Sequence, residues 1–157
     1  MSEEAQQFAI QKIYLKDVSF ESPNSPQVFT DGDWQPQINV QINSSSQTVA
    51  EGIYEVVVEI MVTAKKDEKT AFLVEVKQAG IFAISGFSEE NLGGMIGAFC
   101  PEALFPYARE AVSELVAKGG FPQLLLAPVN FNALYTQQLQ QKAAEQSSGD
   151  TGEETAH

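Results

Sequence analysis

Cysteine and histidine are almost missing from this sequence: Cys100 and the last residue, His157, are the only ones. A single thiol cannot close an internal disulfide, and such a chain fits a reducing compartment. No four cysteine and histidine ligands exist for a structural zinc site. Cys100 precedes Pro101 and has no histidine to activate it as a nucleophile. No metal and no cofactor are expected. Cations are scarce as well, with 9 Lys and Arg against 21 Asp and Glu, a net charge of −12. Setting aside Glu3, Glu4, Glu145, Asp150, Glu153 and Glu154 leaves 15 acidic against 9 basic residues, still −6. That balance argues against a nucleic-acid partner, which needs cations against phosphate. No run approaches the roughly 20 apolar residues that span a bilayer, so no membrane insertion is expected. The opening MSEEAQQFAI lacks the basic region and apolar stretch of a secretory signal. Cytoplasm is the expected compartment. A GxxxxGK[ST] phosphate loop is absent, and GGMIG at 93–97 lacks the spacing of a dinucleotide fingerprint. Asp31-Gly32-Asp33 reads as a solvated turn. No motif argues for an enzyme.

What the sequence does contain is a long apolar stretch at 119–135, GGFPQLLLAPVNFNALY. Pro122 and Pro128 keep it from being one helix, because proline lacks the N–H and clashes with the preceding turn. It is either a strap over the core or a surface for an apolar ligand.

Periodicity orders the rest. Residues 1–7 read as a loose arm, and residues 8–144 as a single domain. Residues 8–20 read as a strand, with Phe8, Ile10, Tyr14, Val18 and Phe20 on one parity and Ile13, Leu15, Asp17 and Glu21 on the other. The proline-rich stretch 21–36 reads as a long crossover loop, yet it carries Val28, Phe29 and Trp34. Loops of that length in compact domains are uncommon and often functional. A second strand is expected at 37–43, ending in a polar turn at NSSSQ, a third at 53–64 and a fourth at 70–87. Sequential strands with short turns imply an antiparallel sheet.

The period then changes. A first helix is expected from Pro101 or later, with Leu104, Ala108, Ala111, Val112 and Leu115 on one face and Gly119-Gly120 stopping it. A second begins near Asn130 or Asn132, its stripe formed by Phe131, Leu134, Tyr135 and Leu139. From Glu145 to His157 the chain is polar and reads as a disordered acidic tail. Strands followed by helices give an α+β class: a four-stranded antiparallel sheet with two helices on one face. The fourth strand is apolar on both parities. That fits either a central strand or self-association, and with two helices available self-association is the favoured expectation.

Several segments now resemble one family. IYLKDVSFE (13–21), DWQP (33–36), YEVV (54–57), AFLVEVKQAGIF (71–82), FPYARE (105–110) and FPQLLLAPVNFNALY (121–135) are similar, in order, to SecB, the bacterial protein-export chaperone family. The resemblance implies a homotetramer assembled as a dimer of dimers, with no catalytic residues. It implies an ATP-independent cytosolic chaperone that holds precursor proteins unfolded and delivers them to SecA, the ATPase of the Sec translocase. On the matching segments it implies a client groove of Phe29, Trp34, Val40, Ile42, Phe131, Leu134, Tyr135 and Leu139. It further implies a face of Asp17, Glu21, Leu73 and Glu75 for the zinc-bearing C-terminal tail of SecA, and a subunit contact at Phe72, Val74, Val76 and Gln78. VFTDGDWQP is one residue longer than the commoner family pattern, Val74 stands where many members have cysteine, and NLGGMIGAF (91–99) departs from it. Two other readings stand beside this one. The first is a SecB-like chaperone dedicated to one partner, such as an antitoxin. The second is a small-ligand-binding or enzymatic α+β domain with a cleft near Trp34.

Overall fold

A computed structural model describes the backbone of residues 5–154 and the side chains as far as residue 147. Four strands come first: β1 (Gln7–Glu21), β2 (Gln37–Ala50), β3 (Ile53–Lys66) and β4 (Lys69–Ser85). They form one antiparallel sheet in the order β1-β4-β3-β2. The crossover loop therefore carries the chain from one edge of the sheet to the other. Two tight turns fix the hairpins. Gly52 takes φ +72 between β2 and β3, and Asp67 and Glu68 are both left-handed (φ 51 and 65) between β3 and β4. Paired positive φ values match the twist of the strands they join.

Three expectations about the strands need correcting. NSSSQ is not a turn, because β2 runs through it to Ala50. Its Ser44, Ser45, Ser46 and Gln47 pair with Val58, Val57, Val56 and Glu55 of the β-branched β3, which outweighs their poor strand propensity. β1 does not keep one parity either. Register shifts between Ile10 and Lys12 and between Leu15 and Asp17 reverse the side that each later residue faces. Phe8, Ile10, Ile13, Leu15, Val18 and Phe20 consequently share one side of the sheet, and Tyr14 goes to the other. Finally, β4 is a central strand. Its two-sided apolarity has that cause within one chain.

The helical layer begins earlier than expected. Ser88 caps α1 (Glu89–Gly94) by accepting from Asn91 N at 3.2 Å. A π-helical turn, Met95–Phe99, leads straight into α2 (Cys100–Lys118). Pro106 lies inside α2, not at its start. Its ring is exposed, and the carbonyl it leaves without an N–H donor belongs to the exposed Glu102. Leu104, Ala108, Val112 and Val116 recur every fourth residue and are fully buried. They form one ridge against Val56, Val58, Ile60, Val62, Val76 and Phe82 of β3 and β4. Each such apolar side chain contributes roughly 1.5–3 kcal/mol relative to exposure. At Gly80 a Cβ would lie 2.9 Å from Leu104 Cδ2, so glycine there lets α2 settle onto β4.

The last helix, α3 (Phe131–Glu154), is held differently. It packs on the π-helical turn, while α2 alone lies along the sheet. The α+β class with four antiparallel strands and two long helices stands, but only one helix is laid on the sheet. Segment 121–130 and the crossover loop fill the remaining cover. Residues 145–154, part of the stretch expected as a disordered tail, continue α3. Residues 1–4 of the arm and 155–157 of the tail lie outside the described residues.

Candidate functional site

The crossover loop is pinned to the β3–β4 hairpin by three side chains. Ser22 Oγ donates to the Ala71 carbonyl at 3.1 Å, Asn24 Nδ2 donates to the Thr70 carbonyl at 2.8 Å, and the buried Lys66 donates to the Asp31 carbonyl. The pinned loop presents Phe29 and Trp34 to Phe121. The ring centroids are 5.1 Å apart for Phe29–Phe121, 5.2 Å for Trp34–Phe121 and 4.9 Å for Phe72–Phe121. Phe20 stacks on Phe72 at 6.0 Å. Each such pair adds about 0.5–1.5 kcal/mol beyond area burial. Gly119 and Gly120 do more than stop α2. A Cβ at Gly119 would overlap the Phe20 ring, and one at Gly120, where φ is +90, would sit 3.2 Å from the Phe29 ring. Phe29 itself stays 50% exposed at the rim of this cluster.

The apolar stretch after α2 is both a strap and a surface. Phe121 and Leu126 are buried, and Gln123 Nε2 donates to Ser113 Oγ of α2 at 2.9 Å. Leu125, between the half-buried Leu124 and the buried Leu126, is 75% exposed. Asn130 caps α3 by accepting from Ala133 N at 3.0 Å. Phe131 is buried edge-on against Phe105 at 5.7 Å, so it is core. Tyr135 and Leu139 line an open cleft of about 620 Å³ with Phe87, Met95 and Phe99, rimmed by Glu90 and Glu102.

The eight expected groove residues thus do not form one cluster. Phe29 and Trp34 lie at the hairpin end of the sheet. Leu134, Tyr135 and Leu139 lie with α3 beside the π-helical turn. Val40 and Ile42 lie between them on β2, whose 14 residues span about 45 Å at 3.3 Å per residue. Val40 and its neighbour Ile38 are exposed, and Ile42 is half-buried. Phe20, Phe87, Phe99 and Phe121 were not among the expected site residues, and Phe72 was expected at a subunit contact instead. The signal for Phe121 was its place in the apolar stretch. Phe99 lay in the segment that departs from the family.

Among the described residues, no helix lies on the opposite face of the sheet. Register brings together the four residues expected as an acidic docking face: Asp17 pairs with Lys77, Ser19 with Glu75, and Glu21 with Leu73. Asp17, Glu21 and Leu73 are exposed, and Glu75 is half-buried. Glu21, Leu73 and Glu75 line a shallow hollow of about 260 Å³ with Ser19, Asn39, Gln41 and Met61. Further along the same face, Glu55 accepts from the Tyr14 hydroxyl, from Lys16 Nζ at 2.8 Å and from Gln47 Nε2 at 2.9 Å. The Lys16 bond above all, then the Tyr14 hydroxyl, hold the Glu55 carboxyl below the usual carboxylate range. Burial, and next the carboxylate it meets, push the Tyr14 phenol up to about 12. This network ties three strands across the sheet.

The four residues expected at a subunit contact lie on the helix side, inside one chain. Phe72, Val74, Val76 and Gln78 are 1%, 2%, 0% and 4% exposed. Gln78 Nε2 donates to the Tyr14 carbonyl at 3.0 Å, beside the second bulge of β1. Alternation explains the position: these even residues share the face that α2 covers.

Known proteins agree with this architecture. The family model described as preprotein translocase subunit SecB matches residues 1–142. The protein-export protein SecB of Nitrosococcus oceani is 58% identical over 144 residues, covering 90% of this chain and 88% of its own. That of Methylococcus capsulatus is 59% identical over 144 residues, covering 89% and 92%. Among solved structures, a SecB-like chaperone of Mycobacterium tuberculosis in complex with a peptide from an antitoxin aligns with TM-score 0.64. It is 16% identical and covers 78% of this chain and 90% of that one, a likeness of fold. With a family model spanning nearly its whole length and relatives close to 60% identical, this chain belongs to the SecB family.

Proposed function

We propose that this protein is an ATP-independent cytoplasmic chaperone of protein export that holds unfolded precursors on the helix side of its sheet and offers the opposite face to SecA. Family membership carries the export role. One observation carries the division of labour. Apolar side chains stay exposed along the helix side, at Phe29, Ile38, Val40, Leu125 and Leu139, while Asp17, Glu21 and Glu75 group on the other side. A holdase needs apolar, sequence-tolerant contacts spread over a long client, since many weak contacts hold tightly together and release singly. The SecA tail would take the acidic face around Leu73 and Glu75. No chemical step is assigned to any residue.

A homotetramer, as a dimer of dimers, belongs to the same reading. Its support is a second apolar strip. Ile10, Leu15 and Val18 of β1 are 45%, 53% and 38% exposed on the side where α2 rests mainly on β3 and β4. Tyr107 of α2 is also exposed. Light scattering should give a mass near four times 17.1 kDa. A monomer at micromolar concentration rejects the assembly.

Client holding is tested through Trp34, half-buried against Phe121 and Phe72. A reduced, unfolded protein should change its fluorescence, and the native form of the same protein should not. Leu134→Asp and Leu139→Asp should weaken holding and leave the fold and assembly intact. Unchanged binding in both variants moves the client site away from α3.

A further inference from the structure

The segment GGMIG at 93–97 is given no role by export or docking, and the structure gives it one. A helix carrying three glycines in five residues is poor by propensity, since alanine is the better helix former at every interior position. Gly93 and Gly97 are four residues apart, one turn along the continuous run from α1 into the π-helical turn. Both face the same side chain. A Cβ built at Gly93 would lie 2.7 Å from the Tyr135 hydroxyl oxygen, and one built at Gly97 would overlap the Tyr135 ring. Gly94, between them, has nothing within 4 Å of such an atom. At Gly97 the body of the ring stands in the way of a side chain, and at Gly93 its hydroxyl end does.

The π-helical turn beneath this contact is also the main support of α3. Tyr135 and Leu139 are one turn apart on α3 and share a face. Both line the open cleft whose other apolar side chains are Phe87, Met95 and Phe99. How deeply the ring enters the glycine pair therefore sets where Leu139 stands over that cleft.

We propose that Gly93 and Gly97 form a seat for Tyr135 that positions α3 and so shapes the apolar cleft at this end of the molecule. On the client-holding reading above, both glycines are positioning residues for the apolar side chains of an unfolded client, although neither touches it. Only glycine permits the close approach, which is why the helix keeps it against propensity.

The test reads α3 directly. Amide hydrogen exchange over 131–147 is followed in wild type, Gly97→Ala, Gly94→Ala, Tyr135→Ala and the double variant Gly97→Ala/Tyr135→Ala, with urea unfolding to verify a cooperative sheet core. Affinity for reduced, carboxymethylated α-lactalbumin is measured alongside. Propensity alone predicts slower exchange on replacing either glycine. The seat predicts opposite signs: Gly94→Ala unchanged or slower, and Gly97→Ala at least tenfold faster across α3 with the core midpoint preserved. Tyr135→Ala, which cannot clash, should loosen α3 by itself. In its background Gly97→Ala should add nothing, because the two changes remove one contact. Client affinity should fall about fivefold or more in Gly97→Ala. Slower or unchanged α3 exchange in Gly97→Ala, additive effects in the double variant, or undiminished client affinity with a loosened α3 each overturn the proposal. If the wild type itself fails to hold the unfolded protein, the chaperone reading falls, and the exchange data alone decide whether the seat exists.

Discussion

Glu75 and Val76 are adjacent residues of β4 with opposite surroundings. Val76 faces α2 and is fully buried, whereas Glu75 faces the bare side of the sheet, next to Ser19 and Met61. The same contrast runs the length of the two central strands. Val56, Val58, Ile60, Phe72 and Val74 lie under the helical layer, and Glu55, Glu59, Met61 and Leu73 lie on the open face. Alternation therefore sends fold-holding side chains to one face and leaves polar and exposed ones on the other, with a single residue of register between them.

Four measurements sharpen this contrast, beginning with the largest effect. Val76→Lys would place an unpaired ammonium under α2. A buried charge without a partner costs several kcal/mol, so the variant should lose cooperative urea unfolding. A stable, folded Val76→Lys protein would mean that α2 does not seal this face. Next is a pair of leucines of equal size. Leu104→Ala empties a fully buried site and should cost about 2–5 kcal/mol. Leu73→Ala, on the open face and 37% exposed, should cost well under half of that. Equal losses in chemical denaturation would erase the distinction between faces.

The third measurement concerns pH and belongs to the open face. The Glu55 carboxyl binds its proton less readily folded than unfolded. Its contribution to stability is complete above the ordinary value of 4.5 and is lost as pH falls through the lower folded value. Tyr14 is the alkaline counterpart. With its phenol raised from 10.0 to about 12, the folded state retains a proton that the unfolded state has lost, and stability falls with pH across that interval. Glu55→Gln should flatten the acid limb of stability against pH, and Tyr14→Phe the alkaline limb. Limbs unchanged in both variants would show that the network carries no net energy.

The smallest expected change in stability is Glu75→Lys. A surface substitution away from special features lies within about ±0.5 kcal/mol, so fold and assembly should persist. Affinity for the SecA tail should fall steeply, and wild-type affinity should decline as salt screens the acids. Calorimetry at two ionic strengths, with equal affinities for both proteins throughout, would detach docking from this face.

The sheet was readable because alternation is a local signal. The starts of β2, β3 and β4 fell within a residue of expectation, as did the start of α3 at its Asn130 cap. β1 was readable as a strand but not in its facing, because a bulge adds one residue without changing the apolar composition. The end of β2 was hidden for another reason: serines suit turns, and only their pairing with β3 keeps them extended. At the candidate site, the acidic group Asp17, Glu21 and Glu75 came from the family resemblance, and only the register sets these residues side by side. The grouping of Phe20, Phe29, Trp34, Phe72 and Phe121 was not, since it joins residues up to a hundred positions apart.

By itself, the sequence determined the α+β class, the antiparallel order of hairpins and the apolar stretch at 119–135, because periodicity and proline placement are properties of neighbours along the chain. The tertiary structure alone decided which apolar residues are core and which remain exposed. Phe131 and Leu139 look alike on one helical stripe, yet Phe131 is buried against Phe105 and Leu139 stands half in solvent over the cleft. Packing between distant elements makes that difference, down to the two glycines that admit the ring of Tyr135.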